Sequence, residues 1–193
     1  SPEQEKFLNA ISQSSENLLV IINDILDLTK IDAGRIDFES VPFDVRTVIG
    51  NVQDVMRFKA DQKGLRMEVT IADDVPALLI GDPTRLNQIV MNLAGNAVKF
   101  TERGSVTIIA RCEAVKEVRD VKKIDLVIDV IDTGIGIPED RLEKIFEEFT
   151  QAYSDTTRKY GGTGLGLTIS RRLAEMQGGR LEVRSVRDEG STF

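Results

Sequence analysis

Two asparagines and a lysine recur at helical spacing near the middle of the chain. Asn92, Asn96 and Lys99 stand at positions i, i+4 and i+7, so they share one face of a predicted helix. Amide oxygens are suitable ligands for magnesium, and an ammonium group can contact a phosphate. The alternative interpretation is a polar, solvated helix face. This motif alone does not decide between the two.

An aspartate stands at the end of a run of β-forming residues. Asp132 follows the run 126–131 and is followed in turn by Gly134, Gly136 and Pro138. Glycines allow the backbone to approach a ligand closely, and an ionised carboxylate can accept a hydrogen bond from an amino group such as that of adenine. The segment therefore predicts the floor of a pocket. A glycine-containing turn ahead of a helix at Pro138 is the alternative.

A glycine-rich segment opens a later predicted helix. Gly162, Gly164 and Gly166 leave backbone N–H groups uncovered at a helix N-terminus, where these groups and the helix dipole favour a phosphate. The GxGxG spacing after a long polar loop differs from the strand–GxGxxG–helix pattern of dinucleotide folds. The chain also contains no GxxxxGK[ST] phosphate loop. A flexible turn could have the same composition, so this segment alone is weak evidence.

The elements that position these segments follow an α+β pattern. Apolar residues at helical spacing predict helices from Val45 to Gly64, after the Asp82-Pro83 cap, and from about Gly166 to Met176. Strands are predicted over 36–42, 67–71, 106–110, 126–131 and 181–186, with another beginning at 190 and a solvated hairpin tip at 116–123. Together they predict one sheet with helices segregated to one face.

The first 34 residues predict one long helix that needs helical partners. Ser1, Pro2 and Gln4 form a possible capping box, and Gly34 is the expected end. Apolar residues recur in two heptad series, and further apolar residues widen the face beyond a two-stranded seam; the members are Phe7, Leu8, Ile11, Leu18, Leu19, Ile21, Ile22, Ile25, Leu26 and Leu28. A face this wide predicts packing in a multi-helix bundle. The chain thus divides into residues 1–34 and 35–193.

The composition excludes several classes of function. A formal net charge of −7 argues against broad nucleic-acid binding, which needs a basic surface. The sequence shows no membrane-spanning run and no signal-peptide pattern at its start. A single cysteine, Cys112, and the absence of histidine exclude an internal disulfide and a structural zinc site. A reducing, cytoplasmic setting is expected.

In this order, the three segments resemble the N box and the two glycine boxes of the GHKL ATPase superfamily, which includes DNA gyrase and the histidine kinases. Phe146-Glu-Glu-Phe149 resembles the F box of histidine kinases, and residues 156–167 are similar to hybrid-type sensor kinases. Residues 22–34 resemble the second helix of their dimerisation and phosphotransfer hairpin. The resemblance implies a two-layer Bergerat-type α/β sandwich with a mixed sheet, preceded by one bundle-forming helix.

The resemblance also implies an ATP site that uses Mg²⁺. Asn96 would be the magnesium ligand with Asn92 assisting, Lys99 would lie near the phosphates, and Asp132 would accept from the adenine amino group. Arg158, within a segment that matches a mobile ATP lid, is the candidate for γ-phosphate contact, with a solvated lid charge as the alternative. The remaining nucleotide-binding residues would be Gly134, Gly136, Gly162, Thr163, Gly164, Leu165, Gly166 and Leu167.

One position favours phosphoryl transfer over hydrolysis. ATP-hydrolysing members carry a glutamate one helical turn before the metal-binding asparagine, whereas this chain has Asn92, which cannot take a proton at neutral pH. The resemblance therefore implies a fragment of a two-component sensor histidine kinase that transfers the γ-phosphate to a histidine outside this chain. That histidine would lie on the first hairpin helix, which this chain lacks, and both ends of the chain resemble truncations.

Several partners follow from the same resemblance. They are a histidine-bearing phosphotransfer helix, a response-regulator receiver domain whose aspartate receives the phosphate, and a second copy that pairs through the N-terminal helix. No nucleic-acid partner is expected, and the parent protein could be membrane-anchored. A non-catalytic ATP-binding and dimerisation module and a GHKL serine kinase are the alternatives.

Overall fold

The computed structural model describes residues 2–118, 121–148 and 163–193. Within these ranges the helices are α1 (Pro2–Asp32), α2 (Val45–Lys63), α3 (Pro83–Phe100) and α4 (Gly166–Met176). The strands are β1 (Val41–Phe43), β2 (Arg66–Ile71), β3 (Leu79–Gly81), β4 (Ser105–Val118), β5 (Val121–Asp132), β6 (Arg184–Val186) and β7 (Gly190–Thr192). Two 3₁₀ turns, Glu139–Arg141 and Lys144–Phe146, follow β5.

The main sheet is mixed and carries its helices on one face. Its strand order is β2-β4-β5-β7-β6, with β2 and β4 parallel and the other neighbours antiparallel, while β1 and β3 form a separate two-stranded sheet. Val106, Ile108 and Ala110 of β4 are buried against the helices, whereas the alternating Thr107 and Ile109 are half-exposed. The α+β sandwich predicted from the sequence is confirmed.

The N-terminus of helix α3 is fixed by one buried carboxylate. The buried Asp82 accepts a hydrogen bond from the backbone N–H of Arg85 at 2.8 Å, which caps the helix. Its other oxygen accepts from the backbone N–H of Glu39 at 3.1 Å, in the segment that leaves α1. The apolar side of α3, which includes Leu93 and Val98, faces the core. The polar side is therefore directed away from the core.

A lysine of α2 stabilises the other end of α3. The Nζ atom of Lys63 donates to the carbonyl oxygens of Val98, Lys99 and Thr101 at 2.7, 2.8 and 3.3 Å. The last carbonyls of a helix have no partners inside it, and a cation near them also interacts favourably with the helix dipole. Desolvation by burial lowers the pKa of Lys63, and the charge of Glu102 opposes this shift. Lys63 thus acts as a C-terminal cap supplied by a neighbouring helix.

Lys63→Met is expected to lower the free energy of unfolding by about 1 kcal/mol, because three helix carbonyls lose a charged donor. Urea denaturation followed by circular dichroism measures this change. Lys59→Met, at an exposed lysine of the same helix, is the matched control and should leave the midpoint nearly unchanged. Equal effects of the two substitutions would contradict the capping role.

The first predicted strand is corrected by the structure. The sequence predicted a strand over 36–42, but β1 begins only at Val41. Ile36 is buried and Phe38 packs against the core, while the Glu39 N–H is bonded to Asp82 rather than to a neighbouring strand. The alternation of these residues therefore reflects packing of a linker and not a sheet ladder.

Three further boundaries differ from the sequence predictions. The strand predicted over 181–186 begins at Arg184, because its partner β7 offers only three residues for pairing. The charged stretch 116–123 lies at the end of the β4–β5 hairpin, as predicted, but the paired strands continue into it, to Val118 and from Val121. The helix predicted at Pro138 is a pair of 3₁₀ turns. The predicted capping residue Ser1 lies outside the described residues.

Helix α1 presents most of its apolar residues to solvent. Phe7, Leu8, Ile11, Leu18, Leu19, Ile22, Ile25 and Leu26 are exposed. Its last turns contact the globular part through residues that include the buried Leu28 and Ile31, and the helix ends before Gly34, whose φ is +62°. Pairing with other helices stays a prediction. Among the described residues, no helix is long and apolar enough to cross a membrane.

Candidate functional site

Asp132 is a buried carboxylate at the end of β5. Its Oδ1 accepts a hydrogen bond from the backbone N–H of Gly134 at 2.8 Å, and Ser191 of β7 donates to it through both backbone and side chain. Burial raises the pKa of the Asp132 carboxyl above its ordinary value, and the bonds from Gly134 and Ser191 offset only part of this shift. Each carboxylate oxygen accepts more than one hydrogen bond, so the group can still receive an amino group from a ligand.

The two glycines after Asp132 are required by close backbone contacts. A Cβ atom on Gly134 would lie 2.6 Å from the carbonyl oxygen of Phe100, the last residue of α3. Gly136 has φ of +62°, and a Cβ there would overlap the carbonyl oxygen of Val186 in β6. The glycine segment is therefore packed tightly between the C-terminal end of α3 and the edge of the sheet. This packing fixes the position of Asp132 relative to α3.

The polar face of α3 carries the three residues predicted from the sequence. Asn92, Asn96 and Lys99 are all half-buried on this helix. Burial lowers the pKa of the Lys99 ammonium, and its Nζ lies 4.8 Å from the ring centroid of Phe100. A partly desolvated ammonium interacts more strongly with an anion than a fully hydrated one does. Lys99 is therefore suited to contact a phosphate.

Asn92 joins α3 to the start of α4. Its Nδ2 donates to Oγ of Ser170, a buried residue of α4, at 2.9 Å. Its Oδ1 lies directly against Gly166, the first residue of α4, where any Cβ would overlap the amide group. These contacts place the N-terminus of α4 beside the polar face of α3. The asparagine motif and the second glycine motif are therefore brought together.

The side chain at the N-cap position does not cover the backbone N–H groups of the first turn of α4. Leu165, in the N-cap position, supplies no side-chain hydrogen bond, and Gly164 has φ of +71°. Leu165 is buried and Leu167 packs against the core, so these two residues anchor the helix. Uncovered N–H groups at a helix N-terminus together with the helix dipole favour an anion. The three segments predicted from the sequence thus meet around α3, with Asp132 beside the C-terminal end of the helix and the N-terminus of α4 beside Asn92, in its middle.

Some predicted residues cannot be located. Arg158, Gly162 and Phe149 lie outside the described residues. Phe146 is described, and its carbonyl oxygen accepts from the hydroxyl of Thr168 at 2.9 Å. Its ring lies 4.9 Å below the guanidinium of Arg171. Phe146 therefore packs against α4.

The sequence interpretation missed two serines and an aspartate. Ser170 and Ser191 bond to Asn92 and Asp132, and the α1 residue Asp24 accepts from the hydroxyl of Thr163 at 2.8 Å. None of the three stands in a recognisable motif. Each is identified only by its hydrogen bond to a residue that is distant in the sequence.

Comparison with known proteins decides the family. Residues 81–193 match the family described as histidine kinase-, DNA gyrase B- and HSP90-like ATPase, and this range contains all three assembled segments. The chain belongs to this family. Within it, the chain carries the catalytic ATP-binding domain of the sensor histidine kinases.

The similar curated proteins are sensor kinases. The chain is 42% identical over 193 residues to the signal transduction histidine-protein kinase BarA of Escherichia coli strain K12. The aligned region covers all of this chain and 21% of BarA. It is also 42% identical to the sensor histidine kinase GacS of Pseudomonas protegens, over all of this chain and 21% of GacS. It is 41% identical to the hybrid signal transduction histidine kinase L of Dictyostelium discoideum, covering 11% of that protein. The chain thus spans between about a tenth and about a fifth of the length of these relatives.

Solved structures agree with the family. Full-length ShkA in complex with AMPPNP superposes with a TM-score of 0.81 at 34% identity, over 99% of this chain and 38% of ShkA. The catalytic domain of the histidine kinase ThkA superposes with a TM-score of 0.64 at 25% identity, over 81% of this chain and 93% of that domain. The ThkA match identifies the globular part, and the ShkA match extends over α1 as well.

Proposed function

We propose that this histidine kinase domain binds Mg-ATP and transfers the γ-phosphate to a histidine on another helix, without hydrolysing ATP. The observation that carries the proposal is Asn92, which stands one turn before Asn96 and is bonded to Ser170. An amide in this position cannot activate water as a general base at neutral pH. Catalysis then depends on positioning and charge neutralisation, which is sufficient for phosphoryl transfer.

The residues present fit a magnesium nucleotide. Among the described residues no group of three or more cysteine, aspartate or glutamate side chains could hold a metal ion. Magnesium often takes few protein ligands and obtains the others from water and substrate phosphates, so an amide oxygen beside a phosphate site is a suitable donor. Asn96 would hold the ion and Oδ1 of Asn92 would assist. When bound, the ion would neutralise charge on the transferred phosphate.

The other roles follow from the geometry around α3. Asp132 would accept from the adenine amino group, and Gly134 and Gly136 would shape the base pocket. Lys99 would contact the phosphates. The backbone N–H groups of the segment that leads into α4 would border the triphosphate, at Gly162, Thr163, Gly164 and Gly166. Arg158 remains our candidate for a γ-phosphate contact; it and Gly162 stand in this proposal on sequence alone.

The partners are part of the same proposal. The exposed apolar face of α1 is suited to a helical bundle, and we place the acceptor histidine on a helix of that bundle. A second copy of the chain would complete the bundle, and a receiver-domain aspartate would take the phosphate onward. The acidic net charge supports a role without nucleic acid, and a cytoplasmic location suits the supply of ATP.

The test is a transfer assay. The chain is incubated with γ-labelled Mg-ATP, alone and with a polypeptide that carries a histidine-bearing phosphotransfer helix. Label on that polypeptide that is lost in acid and retained in base is the expected result. Acid-stable label on serine or threonine would favour a serine kinase, and tight binding without any transfer would favour a non-catalytic module. Either outcome would contradict the proposal.

Acidification is expected to weaken binding of the base. The ionised form of Asp132 is the acceptor, and burial raises the pKa of this carboxyl in the free domain. Affinity is therefore constant well above the raised pKa and falls as the pH drops through it. This fall should begin at a higher pH than for an ordinary aspartate, whose pKa is about 3.9. Titration with adenosine, which has no phosphate of its own to protonate, measures the effect.

Asp132→Asn has no carboxyl at this position and is the control. Its remaining adenosine affinity should not change over the same pH range. A wild-type affinity that follows the same pH profile as the variant would contradict the role of Asp132.

A further inference from the structure

The last turns of α1 dock on the nucleotide-binding part through one mixed face. Asp24, Asp27, Leu28 and Ile31 stand at i, i+3, i+4 and i+7, so they lie on one side of the helix. Leu28 and Ile31 are buried in the common core, and the two aspartates are half-buried beside them. The apolar pair supplies contact area. The aspartates determine which polar groups of the domain lie against the helix.

Asp24 contacts the segment that leads into the phosphate site. Its Oδ2 accepts a hydrogen bond from the hydroxyl of Thr163 at 2.8 Å, across 139 residues of sequence. The same hydroxyl oxygen accepts from the backbone N–H of Leu165 at 3.1 Å, directly before α4. Thr163 is therefore held between helix α1 and the N-terminus that would border the triphosphate.

Asp27 makes a separate contact with α3. Its Oδ2 accepts from Nε2 of Gln88 at 2.7 Å, and its Oδ1 lies 3.8 Å from Nη1 of Arg85. The guanidinium of Arg85 also donates to Oε1 of Gln88 at 2.9 Å. Asp27 is thus paired with a cation at the N-terminal end of α3. Asp24, in contrast, accepts from a neutral hydroxyl of the phosphate segment.

We propose that Asp24 and the nucleotide phosphates compete for the hydroxyl of Thr163, so that docking of α1 and binding of Mg-ATP oppose each other. A hydroxyl has one proton and donates to one acceptor at a time. While it donates to the Asp24 carboxylate, it cannot donate to a phosphate oxygen. The inference rests on the proposed ATP site and adds a control element to it.

Repulsion between the Asp24 carboxylate and the nucleotide phosphates also opposes simultaneous docking of α1 and binding of Mg-ATP. A carboxylate beside the phosphate site repels a polyphosphate, and the repulsion is strongest where both groups are partly desolvated. Burial raises the pKa of Asp24, the negative charge of Asp27 adds to this shift, and only the Thr163 bond opposes it. The docked position is therefore electrostatically unfavourable for the Asp24 carboxylate before any nucleotide arrives. The negative charge of a bound triphosphate makes the docked position of the Asp24 carboxylate still less favourable.

The coupling is reciprocal. A nucleotide that weakens the Asp24–Thr163 contact must be bound more weakly by the docked form, by the same factor. Release of α1 would free the face formed by Asp24, Asp27, Leu28 and Ile31 for other helices. Binding of Mg-ATP would thus favour rearrangement of the phosphotransfer helix relative to the domain that supplies the phosphate.

The decisive variant is Asp24→Asn. The neutral amide oxygen of asparagine is a weaker acceptor than a carboxylate, so the substitution both weakens the hold on the Thr163 hydroxyl and removes the charge. The affinity for Mg-AMPPNP, measured by isothermal titration calorimetry, is expected to rise about fivefold, the lower end of typical coupling between sites. This gain should shrink at high salt, which screens charge repulsion. Asp32→Asn removes the same charge from an exposed position of α1 and should leave the affinity unchanged.

Thr163 variants isolate the hydroxyl. Thr163→Val removes the shared donor, so Asp24→Asn should produce a smaller gain in the valine background than in wild type, as a double-mutant cycle measures. Thr163→Ser keeps the hydroxyl and should restore the full gain. A purely structural role for the contact would not be rescued in this way.

Adenosine separates failure of this inference from failure of the proposed function. Because adenosine has no phosphate, its affinity should not respond to Asp24→Asn. Unchanged or lower Mg-AMPPNP affinity in Asp24→Asn, with normal wild-type binding of both ligands, would overturn the competition and leave the ATP site intact. Failure of the wild-type chain to bind either ligand would overturn the proposed function and this inference with it.

Discussion

Asp132→Asn is expected to lower the affinity for Mg-ATP by about two orders of magnitude while the domain still unfolds cooperatively. The asparagine oxygen can accept from Gly134, as Oδ1 of Asp132 does at 2.8 Å. Its amide N–H₂ group would then face the adenine amino group, so two donors would oppose each other. A lost charge-assisted hydrogen bond at a buried position together with an unsatisfied donor costs about 2–3 kcal/mol, which corresponds to this loss in affinity. Calorimetric titration measures it.

Asp129→Asn is the matched control for this substitution. Asp129 lies on the same strand, three residues earlier, and its Oδ2 is 3.2 Å from Nη2 of Arg111, on the surface of the sheet. Its replacement should leave nucleotide affinity unchanged, because a partly exposed ion pair contributes little. Unchanged affinity in Asp132→Asn, or an equal loss in both variants, would show that the base does not bind at Asp132.

Asn96→Ala is expected to reduce phosphoryl transfer by about two to three orders of magnitude. In the proposed site Asn96 is the principal protein ligand of magnesium, and alanine has no oxygen atom to take its place. Loss of a group that stabilises developing charge typically costs this much in kcat. Adenosine affinity should be unaffected, since the base would contact Asp132 and adenosine carries no phosphate for the metal to bind. The transfer assay and adenosine titration together measure this separation.

Asn51→Ala provides the comparison for this variant. Asn51 is an exposed asparagine on α2, and its removal should change neither transfer nor adenosine affinity. If Asn96→Ala retained transfer at the wild-type rate in the presence of magnesium, the metal assignment would be wrong. If it lost adenosine binding as well, its effect would arise from misfolding rather than from the metal site.

The sequence predicted the elements around the site closely because each has strong local signals. The helix predicted after Asp82-Pro83 has the expected cap, since proline at the first position and an aspartate before it act within one turn. The helix from Gly166 to Met176 has the predicted bounds. The strand at 36–42 was wrong because alternation there reflects burial of Ile36 and Phe38 in a linker, and alternation alone does not distinguish the two.

The candidate site was predictable where motifs carry it and not where tertiary contacts do. The spacing of Asn92, Asn96 and Lys99 requires a single helix face, and the structure provides it. That the amide of Asn92 is bonded to Ser170 depends on how α3 packs on α4, across 78 residues of sequence. The Asp24–Thr163 contact joins opposite ends of the chain, and no local pattern identifies either residue as the partner of the other.

A crystal structure of this chain with Mg-AMPPNP would locate the nucleotide relative to α3. The adenine amino group is expected within hydrogen-bond distance of Asp132, magnesium on the amide oxygen of Asn96, and the phosphates between Lys99 and the N-terminus of α4. A base bound away from Asp132, or a triphosphate that contacts neither the polar face of α3 nor the start of α4, would contradict the proposed ATP site.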